Sequence, residues 1–289
     1  IIDNFYNTEY VNDVFYIKAR SSYAKNILSP ANNYFGKIIK DSNSPYYYDA
    51  LVYLGFISLK LGDIEKLSEI LLELDLNIEN FNKNISFLHK KKPYKFIKEE
   101  LLNVTSNYYL LKAESSIYFE RESSEIEEYF LLGIDTSEKK DQIINGYNRI
   151  LNFYKELKND KKILEYLNIL IQESSSDELS ENIIKDWLYY GREQGEYEKI
   201  LKFIDEKLDK GLSIKDELFY LIEKSKIYYH SRQLLKSTNI LESILEDYEL
   251  HMNTYKIHFS EVYFELGKIY LKEYLDFENS LIYFDLSSE

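Results

Sequence analysis

Asn145, Asn148 and Asn152 are the residues whose type and spacing come nearest to a chemistry, because steps of three and four bring them onto one face of a helix. Each amide offers both a donor and an acceptor. A row of them can pair with the backbone of an extended segment whatever its side chains, and Lys155 extends the row. Covalent chemistry fits less well. Neither the phosphate-cradling GxxxxGK[ST] loop nor GxGxxG occurs, and a GxSxG nucleophile elbow is missing. The absence of cysteine removes disulfides, thiolate metal sites and thiol catalysis, and leaves the compartment open between cytoplasm and periplasm. Of the four histidines, His258 stands three residues before Glu261, which reverses the Glu-x-x-His order of helical metal sites. Adjacent acids such as Glu127 and Glu128 read as solvated faces in a chain with 50 acidic residues. The expectation is a protein that is not an enzyme and uses no cofactor or metal.

The formal charge of −14 argues against nucleic acid as a partner, since a polyphosphate needs clustered, unopposed Lys and Arg. No apolar run approaches the ~20 residues of a membrane-spanning helix, so a soluble chain without direct membrane insertion is expected. Apolar residues make up 45% of the sequence, with only 9 Gly and 3 Pro, which suits a mostly helical chain. Abundant Ile, Lys, Asn and Tyr match an AT-rich, bacterial type of coding, so a single Asn or Tyr carries little weight.

The elements that would position such a row are helix hairpins. Residues 48 to 79 read as two amphipathic helices around a turn at Leu61-Gly62-Asp63, with Leu51-x-x-Leu54-Gly55-x-x-Ser58 before it and Leu67-x-x-x-Leu71-x-x-Leu74 after it. The signature recurs. Tyr147-x-x-Ile150-Leu151-x-x-Tyr154 pairs with Ile163-x-x-x-Leu167-x-x-Leu170, and Ile184-x-x-Trp187-Leu188-x-x-Gly191 with Ile200-x-x-x-Ile204. Leu221-x-x-Lys224-Ser225-x-x-Tyr228 precedes Ser237-x-x-x-Leu241-x-x-Ile244, and Tyr263-x-x-Leu266-Gly267-x-x-Tyr270 precedes Phe277-x-x-Ser280-x-x-x-Phe284 after a one-residue insertion.

This pattern resembles the tetratricopeptide repeat (TPR) family, whose unit is about 34 residues. The resemblance implies an all-α fold: a right-handed superhelical solenoid of about seven TPR-like helix hairpins, running as a single array over residues 1–289. Within it, 1–76 would hold the N-terminal repeats, 77–105 an irregular or degenerate segment with a helix near 94–104, and 106–289 the C-terminal repeats. The last repeat reads as truncated, as in a fragment or a processed chain. Trp187 is expected in the core.

In this family the first helices line a concave groove, and Asn148 and Asn152 match positions that hold peptide. The same face projected onto later repeats adds Lys185, Tyr189, Arg192, Lys226 and Tyr229. A basic, aromatic stripe on an acidic protein would attract acidic segments and hold aromatic or aliphatic anchors. The expected function is a non-catalytic scaffold that binds an extended or helical segment of another protein, acidic or aromatic in character, and so assembles a multiprotein complex. Two alternatives stand beside it: a building block of a larger cell-envelope or cytoplasmic assembly joined end to end or laterally, and a regulatory module of an enzyme located outside these residues. Partner identity and oligomeric state stay open.

Overall fold

The structure, a computed structural model, describes residues 11–81, 103–137, 139–173 and 179–288. Among the described residues there are fourteen α-helices and no strand. The chain divides into two compact units, Ile1–Lys158 and Asn159–Glu289. The first unit holds α1 (Val11–Ala24), α2 (Leu28–Ile38), α3 (Tyr47–Leu61), α4 (Ile64–Asn77), α5 (Val104–Tyr118), α6 (Ser123–Asp135) and α7 (Lys140–Glu156). The second holds α8 (Asp160–Glu173), α9 (Glu181–Glu193), α10 (Tyr197–Leu208), α11 (Ile214–His230), α12 (Leu234–Asp247), α13 (Lys256–Ile269) and α14 (Phe277–Ser288).

Turn chemistry at the predicted hairpin follows the sequence closely. Gly62 ends α3 in the left-handed region with φ of 70°, and the Asp63 side chain caps α4 by accepting from the Lys66 N–H. Pro30 is the third residue of α2. A proline is tolerated there because the first-turn N–H groups have no partner inside the helix. Of the helix predicted near 94–104, residues 94–102, with the acids Glu99 and Glu100, lie outside the described residues, and Val104 opens α5.

Helices pack in sequence order within each unit. In the first, α1 packs on α2, α3 on α4 and α5 on α6, while α3 also meets α5. In the second, α9 packs on α10, α11 on α12 and α13 on α14, and each of α8, α10 and α12 also packs against the helix that follows it. Neighbouring first helices touch as well, α9 with α11 and α11 with α13. Leu218, Ile222, Leu241, Ile244, Phe259, Val262, Leu266 and Ile269 form one buried cluster in the second unit. Each such side chain contributes about 1.5–3 kcal/mol relative to exposure. Trp187 is core as expected, 1% exposed, and its indole N–H donates to Asn168 at 2.8 Å.

The periodicity is written into both the element starts and the side-chain bonds. Second helices α6, α8, α10 and α12 begin at Ser123, Asp160, Tyr197 and Leu234, each 37 residues after the last. That interval is a few residues longer than the 34 of the resemblance. Bonds between corresponding elements recur at similar separations: Tyr16 to Asp49 and Tyr46 to Asp13 at 33, and Lys226 to Glu261 and Arg149 to Glu114 at 35.

Small residues mark close approaches. A Cβ added to Gly267 would meet the Phe284 ring at 2.9 Å, so α13 and α14 touch only because no side chain stands there. Ser225 and Ser237 bond to each other across the α11–α12 hairpin at 3.0 Å. Gly55, by contrast, faces Leu111 of α5. The inserted residue of the last hairpin is absorbed by a π-helical turn, Tyr270–Tyr274, which ends in a left-handed Leu275 with φ of 56°.

Candidate functional site

A groove of about 1040 Å³ opens in the second unit, walled by α9, α11 and α13, the first helices of successive hairpins. The wall helices are set by their caps: the Ser180 and Ser213 hydroxyls accept from the N–H groups of Ile183 and Asp216, fixing where α9 and α11 start. Lys185, Tyr189 and Arg192 stand on α9 in steps of four and three, and all three line the groove.

Tyr189 is half exposed and offers an apolar face. The Lys185 ammonium lies 2.6 Å from Glu181 and 5.7 Å from the Phe219 ring centre. Arg192 donates from Nη1 to Glu223 Oε2 at 3.2 Å, and Lys226 donates to Glu223 Oε1 at 2.7 Å and Glu261 Oε1 at 2.6 Å. Arg192, Glu223, Lys226 and Glu261 therefore form an alternating ladder over three helices. Burial alone would lower the Lys226 pKa, but Glu223 and Glu261 outweigh it and hold the ammonium above its ordinary value.

The ladder changes the electrostatics expected of this face. Five cations line the groove (Lys185, Arg192, Lys207, Lys215 and Lys256), and four carboxylates stand among them (Glu181, Asp216, Glu223 and Glu261). The stripe is charge-balanced, where the sequence alone suggested a basic one. Glu223 and Glu261 sit about one repeat beyond Arg192 and Lys226, so the cations of one helix face do not show them. Lys215 and Lys256 make no ion pair among the described residues and lie at the amino-terminal ends of α11 and α13. Burial pushes the His258 imidazole below its usual value; Lys215 and Lys185 add to that, while Glu261 and Glu181 oppose it. Ile257, beside it, is 82% exposed.

Lys226 and Tyr229 do not line this groove. Lys226 works inside the ladder, whereas Tyr229 packs on the buried cluster and donates to Glu273 at 3.0 Å. The Asn row belongs to the first unit. Asn145 and Asn152 are exposed on α7, with Asn148 and Lys155 half-buried on the same helix. Arg149, between them, pairs with Glu114 of α5. Burial raises the Glu114 carboxyl, and Arg149 and Lys60 only partly oppose this.

Sequence reasoning missed Lys215, Ile257 and His258, because the projected face was centred on the middle turns of the first helices. The available signal was Ile257, standing between the polar Lys256 and His258. Among the described residues no three acidic or histidine side chains cluster as metal ligands, and no helix is long and apolar enough to cross a membrane.

No family model matches the sequence, and no curated protein matches it. Among solved structures, the chain is similar to a tetratricopeptide repeat protein from Parabacteroides merdae. The two are 13% identical, and the match covers 96% of this chain and 92% of that chain at a TM-score of 0.38.

Proposed function

We propose that this chain is a non-catalytic scaffold that binds a segment of another protein against its first helices, in a right-handed superhelical array of TPR-like hairpins. The observation that carries the reading is the groove over α9, α11 and α13, where exposed apolar side chains stand beside cations and carboxylates already balanced against one another. A surface of that kind takes its affinity from apolar anchors and its register from hydrogen bonds. Tyr189, Phe219 and Ile257 supply the anchor positions, and Lys215 and Lys256 favour an acidic side chain at one end. In the first unit, the amides of Asn145, Asn148 and Asn152 pair with extended backbone. The partner is thus apolar or aromatic first and acidic second.

Selection from a displayed library of random peptides, followed by anisotropy titration of the enriched sequences, tests this. Tyr189→Ala with Ile257→Ala should weaken binding at least ~tenfold without lowering the melting temperature, because both side chains are half or more exposed. Enrichment of nothing, or affinities unmoved by that pair and by Asn148→Ala with Asn152→Ala, would remove the groove as a binding site.

A further inference from the structure

The charges along the groove of the second unit divide into two sets. In one, each charge is matched or buried: Arg192, Glu223, Lys226 and Glu261 close the ladder, Lys185 meets Glu181, and Lys207 is only 9% exposed, its ammonium 5.4 Å from the Phe203 ring centre. The other set lies where α11 and α13 begin. There Lys215 and Lys256 line the cavity without an ion pair among the described residues, and the carboxylate next to Lys215, Asp216, accepts from the Ser213 hydroxyl at 2.6 Å. Two ammonium groups against one carboxylate leave one surplus positive charge. Asn253 and Thr254 line the same cavity, exposed, and their side chains make no hydrogen bond among the described residues. His258 completes the set. Its imidazole faces Glu181 and Lys185 of α9, Lys215 of α11 and Glu261 of α13, with the Tyr255 ring 6.2 Å away. A proton on His258 raises the surplus to two.

We propose that this end of the groove is a subsite for a phosphate monoester carried on a side chain of the bound segment, with Lys215, Lys256 and His258 supplying its cations. The proposal rests on the scaffold reading only for what carries the phosphate. A phosphate monoester brings about −1.5 to −2 charges near neutral pH and three acceptor oxygens, against one charge and two oxygens for a carboxylate. Two ammonium groups, an imidazolium, a hydroxyl and an amide can share those three oxygens, and a surplus of two matches the dianion. Binding of the dianion therefore draws a proton onto His258, which burial, Lys215 and Lys185 otherwise hold neutral. A carboxylate is balanced without that proton. The sign follows: affinity for the phosphate rises as the pH falls through about 6.5 and drops again below about pH 6, where the phosphate takes up its own second proton. Affinity for a carboxylate changes less over the same range.

The test titrates the full chain by NMR with three probes: N-acetyl-O-phosphoserine N-methylamide, its glutamate counterpart and inorganic phosphate. At about pH 6.5 the phosphoserine probe should bind about tenfold more tightly than the glutamate probe, and its affinity should peak at about pH 6. Lys215→Gln with Lys256→Gln should remove that preference at an unchanged melting temperature, since both side chains are exposed. His258→Gln should flatten the pH profile of the phosphoserine probe and spare its binding at about pH 8, where the wild-type imidazole is neutral too. Equal affinity for the phosphoserine and glutamate probes, no binding of either, or a preference that survives the paired Lys variant would overturn the proposal. So would inorganic phosphate binding more tightly than the capped phosphoserine, which would give the site to the free ion. The probes carry no apolar anchor, so failure here is told apart from failure of the groove reading, which shows in peptide binding to Tyr189→Ala with Ile257→Ala.

Discussion

The two units use one device, a cation or hydroxyl bonded to a carboxylate about one repeat away, in opposite settings. In the first unit Asp49 is fully buried: the Tyr16 hydroxyl donates to it at 2.8 Å and Arg20 stands 3.6 Å away, its guanidinium over the Tyr53 ring. In the second, Glu223 and Glu261 are tied to Arg192 and Lys226 beside an open groove. Where the pair is dry it holds packing together, because an unpaired buried charge is costly. Beside the groove Arg192, Glu223 and Lys226 are still mostly shielded, while Glu261 reaches solvent, so there the pairs also set the charge met at the groove. The same residue types at the same spacing thus stand inside the core in one unit and beside a groove in the other.

The strongest way to break that comparison is Asp49→Ala. It strips the acceptor from Tyr16 and the counter-charge from Arg20 inside the core, and should cost about 3 kcal/mol in urea denaturation. A loss below about 1 kcal/mol would mean that the buried network is no more structural than the one beside the groove. Glu223→Gln should cost less, about 1–2 kcal/mol, because the amide oxygen can still accept a hydrogen bond and Lys226 keeps Glu261. Its effect should appear instead in the groove, where an acidic peptide gains affinity as the ladder loses one carboxylate.

The smallest expected effect sharpens the comparison from the groove side. Burial and the Lys215 and Lys185 cations hold the folded pKa of His258 below its ordinary 6.5. The fold therefore favours the neutral imidazole, so the contribution to stability is full above pH 6.5 and is lost as the pH falls through that value toward the folded pKa. An NMR titration should find the midpoint below 6.5, and Lys215→Gln should move it upward. A midpoint at or above 6.5 would show that Glu261 and Glu181 dominate the groove.

Much of the fold was legible because hairpins are local. Leu61-Gly62-Asp63, Gly195 and Gly211 mark turns with the left-handed glycine each needs, and the apolar steps of three and four mark the helices between them. The one-residue insertion after Tyr270 was visible as a break in register and became a π turn. Of the proposed peptide-binding residues, Lys185, Tyr189 and Arg192 come together in one groove, while Lys226 and Tyr229 turn inward to carboxylates and core.

The sequence by itself determined that this chain is helical and where its hairpins bend, since capping, glycine turns and the 3.6-residue period all act over a few residues. The tertiary structure alone decided which charges are spent. Arg192 and Glu223 are 31 residues apart, and whether a cation faces a ligand or a carboxylate depends on which helices lie side by side. Burial is set by what packs on a helix as much as by the residues the helix carries.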